Sequence, residues 1–182
     1  MENKNFYLCS FASPDLFLSK YRFNNQLKKF GVYDGSKIFS ENDLPQNVKN
    51  FVKECKILND VKGYGYWYWK PYIIKGYLDK LPEGSILHYC DIGSELNTSP
   101  SCNRQIIIDL YNKCNEQNMI AFNYSKPEKY DKKLTYRYIF EYEYTKSDLF
   151  DYYQIDSESE IYLSPQFSAG SFLMKKCKFS YD

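Results

Sequence analysis

The run Gly63-Tyr64-Gly65-Tyr66-Trp67-Tyr68-Trp69-Lys70-Pro71, followed at Gly84 by Ser85-Ile86-Leu87-His88-Tyr89-Cys90-Asp91-Ile92-Gly93, decides how this chain is read. Ser85 to Cys90 is a short, nearly unbroken apolar stretch between turn residues, the pattern of a strand buried on both faces in the middle of a sheet. It ends on one carboxylate, Asp91. In open α/β sheets the crevice outside the carboxyl ends of the strands is where ligands bind, so Asp91 is the first candidate functional residue. Upstream, Pro71 suits the first turn of a helix, and Tyr72-Ile73-Ile74-Lys75-Gly76-Tyr77-Leu78 continues it to a turn at Leu81-Pro82-Glu83-Gly84.

Working outward, Phe6 to Ala12 reads as a strand that stops at Ser13-Pro14-Asp15, where a helix begins. Leu16, Phe23, Leu27 and Phe30 fall on one helical face, and Gly31 supplies its stop. Val48, Phe51, Val52, Cys55 and Leu58 keep amphipathic spacing in a second helix after Pro45. Thr98-Ser99-Pro100 is expected to cap a helix that buries Ile106, Ile107, Leu110, Tyr111 and Cys114, with a strand over Met119 to Phe122. Tyr124 to Tyr144 holds no sustained period and reads as a long, mobile insertion beside the site. Thr145-Lys146-Ser147-Asp148 restarts a helix with the spacing of a capping box. Ile161-Tyr162-Leu163 and Phe167 to Met174 are expected to be closing strands. The alternation of strand and helix gives an α/β fold with one core over residues 1–182.

Lys and Arg number 24 against 23 Asp and Glu, a formal net charge of +1, so no overall field draws the chain to nucleic acid. Lysines interleaved with tyrosines at 124 to 144 raise an RNA-binding reading, against which the charge balance stands. The apolar segments are far shorter than the ~20 residues that span a bilayer. Met1 to Asn5 lacks the apolar stretch of a signal peptide, and a cytoplasmic protein is expected. The six cysteines contain no C-x-x-C pair and read as reduced, mostly buried thiols.

Four blocks in this order carry a resemblance: Gly63 to Ile74, Tyr89-Cys90-Asp91-Ile92-Gly93-Ser94-Glu95-Leu96-Asn97, Tyr144-Thr145-Lys146-Ser147-Asp148-Leu149-Phe150, and Gln166-Phe167-Ser168-Ala169-Gly170-Ser171-Phe172-Leu173. Together they resemble the GT-A-like bacterial and viral glycosyltransferases of capsular and surface polysaccharide synthesis. The resemblance runs from about Phe6 to Lys176. It implies a Rossmann-like, mostly parallel sheet flanked by helices. It also implies transfer of a sugar from a nucleoside-diphosphate donor, UDP above all, to an oligosaccharide or surface-glycan acceptor, with peripheral association with polysaccharide assembly machinery at the inner face of the membrane.

Asp91 then matches the first aspartate of a D-x-D motif that holds Mn²⁺ or Mg²⁺ against the diphosphate. The second position is Gly93, so Glu95, a water shell or Lys70 in place of a metal is left to supply the missing charge compensation. The resemblance further implies Trp69, Lys70, Gln166, Ser168, Ala169 and Gly170 as donor-binding positions, with Asp148 or Glu95 as a base if configuration inverts. Trp69 or Tyr66 is a stacking candidate against the plainer use of a tryptophan in the core. His88 is expected to be a satisfied core histidine. The competing reading is a noncatalytic glycan-binding or polysaccharide-assembly protein on the same fold.

Overall fold

The computed structural model describes residues 5–57, 62–130 and 133–181. They group into two compact units, one made of residues 1–120 with 170–182 and the other of 121–169. The chain is mixed α/β, and its main sheet has five strands in the order β2-β1-β3-β7-β4. The elements of the first unit are β1 (Phe6–Phe11), α1 (Phe17–Phe30), β2 (Gly35–Phe39), α2 (Gln46–Ile57), the single turn α3 (Gly63–Tyr66), α4 (Lys70–Leu78), β3 (Ile86–Cys90) and α5 (Gln105–Gln117). β4 (Met119–Asn123) leads out to residue 121 onward, and β7 (Phe167–Lys175) leads back.

β1 pairs in parallel with β2 on one side and with β3 on the other, from Phe6↔Ile86 to Cys9↔Tyr89. The expectation of a mostly parallel sheet holds for these three strands. β7 runs antiparallel to β3, from Ile86↔Lys175 to Cys90↔Ser171, so the sheet is mixed. The reason is where the chain re-enters: Gly170 O accepts the N–H of Asp91 at 2.8 Å, at the carboxyl end of β3, and the strand can then only run back along it.

All five residues of β3 are buried, as expected of a central strand. Because side chains alternate across a strand, Leu87 and Tyr89 join Cys9, Phe11, Phe39, Val48, Trp69 and Ile73 under α2 and α4. Cys90 joins Leu8, Phe23, Leu27 and Phe30 under α1, and Ile86 packs with Phe6, Cys114 and Leu173 beneath α5. Helices therefore cover both faces.

Several expectations are corrected. β2 was not foreseen: Gly35-Ser36-Lys37-Ile38-Phe39 is an edge strand with one fully buried side chain, Phe39, too weak a pattern to read. Leu16 lies in a 3-10 turn before α1 and is exposed, while Phe23, Leu27 and Phe30 form the buried stripe. Leu58 lies outside the described residues. α5 starts at Gln105, well after Thr98-Ser99-Pro100; Asn97 Oδ1 instead accepts the N–H of Ser99, a local turn. The later start turns Ile106 outward, 61% exposed.

In the second unit the stretch expected to lack a regular period holds a hairpin, β5 (Ser125–Tyr130) and β6 (Lys133–Tyr138), paired from Ser125↔Tyr138 to Tyr130↔Lys133. A one-turn helix α6 (Glu141–Tyr144) and α7 (Ser147–Tyr153) follow. Its tyrosines and Thr135 favour strand, but lysines and a proline stand among them, so the preference shows only once the strands are paired. The capping box expected at Thr145 does not form; Thr145 Oγ1 donates to Glu141 Oε2 at 2.5 Å and Lys146 takes the N-cap position. Ile161-Tyr162-Leu163 forms turns, and Tyr162 stacks against Tyr142 and tilts against Phe150. No helix among the described residues is long and apolar enough to cross a membrane.

His88 is the core histidine it was expected to be. Its Nδ1 meets Tyr33 Oη at 2.7 Å and its Nε2 meets Ser171 Oγ at 2.9 Å, linking α1's trailing loop to β7 through β3. Burial pushes the imidazole down to about 4 from 6.5. A depressed folded-state value means that the unfolded chain takes up the proton first as pH falls. Stability is thus complete above 6.5 and declines between 6.5 and 4, by about 3 kcal/mol from this group. Urea unfolding across that window will show the decline, and His88→Gln will flatten it; an equally steep profile in the variant removes His88 as its source.

Candidate functional site

The parallel strands β2, β1 and β3 release their chains at the same edge, and there Ala12 N–H bonds Phe39 O at 3.0 Å. A cleft of about 660 Å³ opens at that edge within the first unit. Asp91, Ile92 and Gly93 line it from the loop after β3, Ser13 to Leu16 from the loop after β1, and Lys56, Gly63, Tyr64, Trp67 and Trp69 from the α2–α4 side.

Asp91 is fixed from three directions. Its N–H is bonded to Gly170 O, its carbonyl accepts the N–H of Ser94 at 2.9 Å, and Arg22 on α1 donates to the carbonyls of Ile92 and Ser94 at 2.8 and 2.9 Å. Lys70 Nζ reaches Oδ1 at 3.2 Å, and the Tyr89 hydroxyl donates to the same oxygen. The ammonium of Lys70 also sits 4.6 Å above the centre of the Tyr89 ring, a cation–π contact in a partly desolvated place. Burial, followed by the charge of Asp91, pushes the Tyr89 phenol up, so it stays a donor. Lys70 is 13% exposed and Asp91 39%: the cation is sunk behind the carboxylate, and the carboxylate faces the cleft.

The aromatic wall rests on an unusual backbone. Gly63, Tyr64, Gly65, Tyr66 and Trp67 all carry positive φ, between 53° and 84°. The bonds Tyr66 N–H to Lys62 O (2.7 Å) and Trp67 N–H to Gly63 O (3.1 Å) close a left-handed helical turn. Left-handed geometry costs a residue with a Cβ about 1 to 2 kcal/mol, and single glycines are its usual occupants. Three bulky aromatics hold it here because their surroundings over-determine it. Trp69 stacks on Phe11 at 4.0 Å and donates Nε1–H to Gly63 O at 3.1 Å. Tyr64 leans on Phe11, and Lys56 Nζ lies 4.6 Å over its ring and 3.3 Å from its hydroxyl. Gly65 is buried against α2, where a Cβ would stand 3.0 Å from Val52 Cγ2.

Of the residues singled out from sequence, Asp91, Lys70 and Trp69 come together here, with Gly170 as a backbone partner. Trp69 is a buried stacking residue, and the stacking candidate Tyr66 does not line the cleft. Glu95 lies in a separate shallow groove with Leu96 to Ser99 and accepts from Gln26 at 3.2 Å, which takes it away from Asp91. Asp148 is exposed in the first turn of α7, Gln166 N–H bonds Ile139 O, and Ser168 and Ala169 lie on β7; these four belong to the second unit. Asp15, Lys56, Tyr64 and Trp67 were missed. Only the Gly-x-Gly interruption inside the aromatic run signals that left-handed backbone is needed there.

The divalent cation implied at Asp91 would need further ligands beside that one carboxylate. Among the described residues no group of three or more His, Cys, Asp or Glu side chains could hold a metal ion. Lys70 and Tyr89 already bond one oxygen of the single carboxylate, and Gly93 offers no side chain, so the set does not fit a cation held by the protein. A Cβ at Gly93 would meet nothing within 4 Å, so packing does not explain that glycine. Burial pushes the nearby Cys9 and Cys90 thiols up and keeps them protonated.

Comparison of the chain with known protein families, with curated proteins and with solved structures gave no match.

Gly65→Ala tests the turn directly. A methyl group in left-handed backbone against Val52 is expected to cost roughly 1 to 3 kcal/mol, read as a lower urea midpoint. A change within 0.5 kcal/mol would mean that the turn is not under the strain described.

Proposed function

We propose that the cleft takes a nucleoside-diphosphate sugar, UDP-linked in the first instance, and that the chain is a glycosyltransferase passing that sugar to an oligosaccharide or surface-glycan acceptor. One observation carries the reading: a carboxylate at the carboxyl end of the central parallel strand lines the cleft of about 660 Å³ in the first unit and is bonded to a nearly buried lysine from the adjoining helix. The motif blocks that resemble the GT-A-like transferases supply both residues.

Glycosyl transfer requires charge stabilisation on the departing diphosphate and orientation of two reactants. Lys70 and Lys56 supply positive charge to phosphate oxygens, where charge-assisted hydrogen bonds are the strong ones. Asp91, held by Tyr89, Lys70 and the Gly170 carbonyl, is a fixed acceptor for donor-sugar hydroxyls. Because Lys70 balances Asp91, the pair itself leaves no net negative charge to repel the diphosphate.

The roles separate by experiment. In calorimetry, Lys70→Met should weaken UDP binding roughly tenfold or more, the scale of a lost hydrogen bond to a charged group. EDTA should leave the wild-type affinity within about twofold, because no protein-held cation is involved. Asp91→Asn should retain UDP binding and lose release of UDP from UDP-hexoses in the presence of oligosaccharide. UDP that fails to bind, or that binds Lys70→Met as well as wild type, sinks the proposal.

A noncatalytic glycan-binding role is favoured by one feature of the second unit, where Tyr136, Tyr138, Tyr144, Tyr152 and Tyr153 are exposed. Sugar rings stack on such side chains. Oligosaccharide binding without any UDP release from UDP-hexoses would establish that reading in its place.

A further inference from the structure

The two tryptophans of the chain are used differently. Trp69 is 5% exposed, and Trp67 is 43% exposed while lining the cleft. The indole of Trp67 lies directly on Gly63. A Cβ at that glycine would stand 2.3, 2.4 and 2.6 Å from Cδ2, Cε2 and Cε3, the atoms around the fused bond of the ring system. Glycine is therefore required at 63 twice over, for its φ of 59° and for the ring resting on it. With one face against backbone, the indole is preset, and ordering it on binding costs little.

The cleft sets this ring among charges of both signs. Lys56 lines it beside Tyr64, Asp15 and Asp91 line it too, and Lys70 stands behind Asp91 and balances it. A flat π surface together with ammonium groups is complementary to a ligand that is both planar and anionic. A free pyranose has an apolar face and no charge; a nucleotide has a heteroaromatic ring tethered to phosphates.

We infer that Trp67 is the stacking platform for the nucleobase of the donor, and that Gly63 sets the platform's position. The inference rests on the nucleotide-sugar reading and adds to it the residue that grips the base. Base-on-aromatic stacking gives an expected loss of roughly 5- to 150-fold in affinity when the ring is removed. Every base has a π face, so the platform favours nucleotides over sugars without selecting among bases.

Tryptophan fluorescence reads this site because only one of the two indoles is accessible. UDP and uridine should each quench wild-type emission, and UDP should leave Trp67→Phe, in which only buried Trp69 emits, unchanged. By calorimetry, Trp67→Ala should lose affinity for UDP over the range above, and Trp67→Phe should lose less because a ring remains. Gly63→Ala keeps the indole and displaces it, so it should lose affinity comparably; Trp67→Phe, which preserves an aromatic ring in the turn, guards against a variant that fails to fold. Equal UDP affinity in wild type, Trp67→Ala and Gly63→Ala would overturn the platform and leave the nucleotide reading standing. Pyrophosphate competing with UDP while uridine neither binds nor quenches would overturn it too. Quenching by a free hexose with no binding of UDP would overturn both.

Discussion

The stack of Trp69 on Phe11 is the contact on which the cleft depends. At 4.0 Å between ring centroids it joins the residue just before α4 to the last residue of β1. Its indole N–H holds the Gly63 carbonyl, so one buried side chain fixes the sheet edge, the start of α4 and the left-handed turn together. Lys70 follows Trp69 in the chain, and its reach to Asp91 is a consequence of where that indole sits. Phe11 in turn is placed by the parallel pairing of β1 with β2, through Phe11↔Phe39.

Much of this was legible in the chain, because the deciding residues are apolar and regularly spaced. Ile86 to Cys90 reads as a buried strand from its composition alone, and Asp91 stands out as the first carboxylate after it. Pro71 fixes the start of α4. The rest is hidden for identifiable reasons. β2 is an edge strand whose register comes from β1 and not from its own pattern. In the hairpin only β6, Lys133-Leu134-Thr135-Tyr136-Arg137-Tyr138, alternates polar and apolar residues; its partner β5, Ser125-Lys126-Pro127-Glu128-Lys129-Tyr130, is polar almost throughout and gives no strand period. The direction of β7 depends on where the chain returns, which no local signal encodes.

The site residues divide in the same way. Asp91 and Lys70 are visible through the motif blocks, whereas Trp67 and Tyr64 become cleft-lining only because the backbone winds left-handed. A right-handed turn at the same residues would place successive side chains about 100° apart in the opposite sense, and a different set of aromatics would meet the cleft. Sequence shows that aromatics abound there; the hand of the turn selects which of them line the cleft. Glu95 shows the converse. It is near Asp91 in sequence, yet the turn at Asp91 to Ser94 and the bond to Gln26 lead it into another groove.

Rigidity and charge are linked at Asp91. A carboxylate bonded by a phenol and an ammonium loses the freedom to turn, and the cation beneath it is held over the Tyr89 ring. Each member would be costly alone in a partly desolvated place, the phenol without an acceptor and the ammonium without a counter-ion. Together they are satisfied, and the site holds its geometry before any ligand arrives. For the glycosyl transfer proposed above, charges and dipoles that are already oriented need no reorganisation as the leaving group separates. The wall nearby is fixed in the same way: a turn of three aromatics in left-handed geometry, held by Phe11, Val52 and Trp69, has few alternatives.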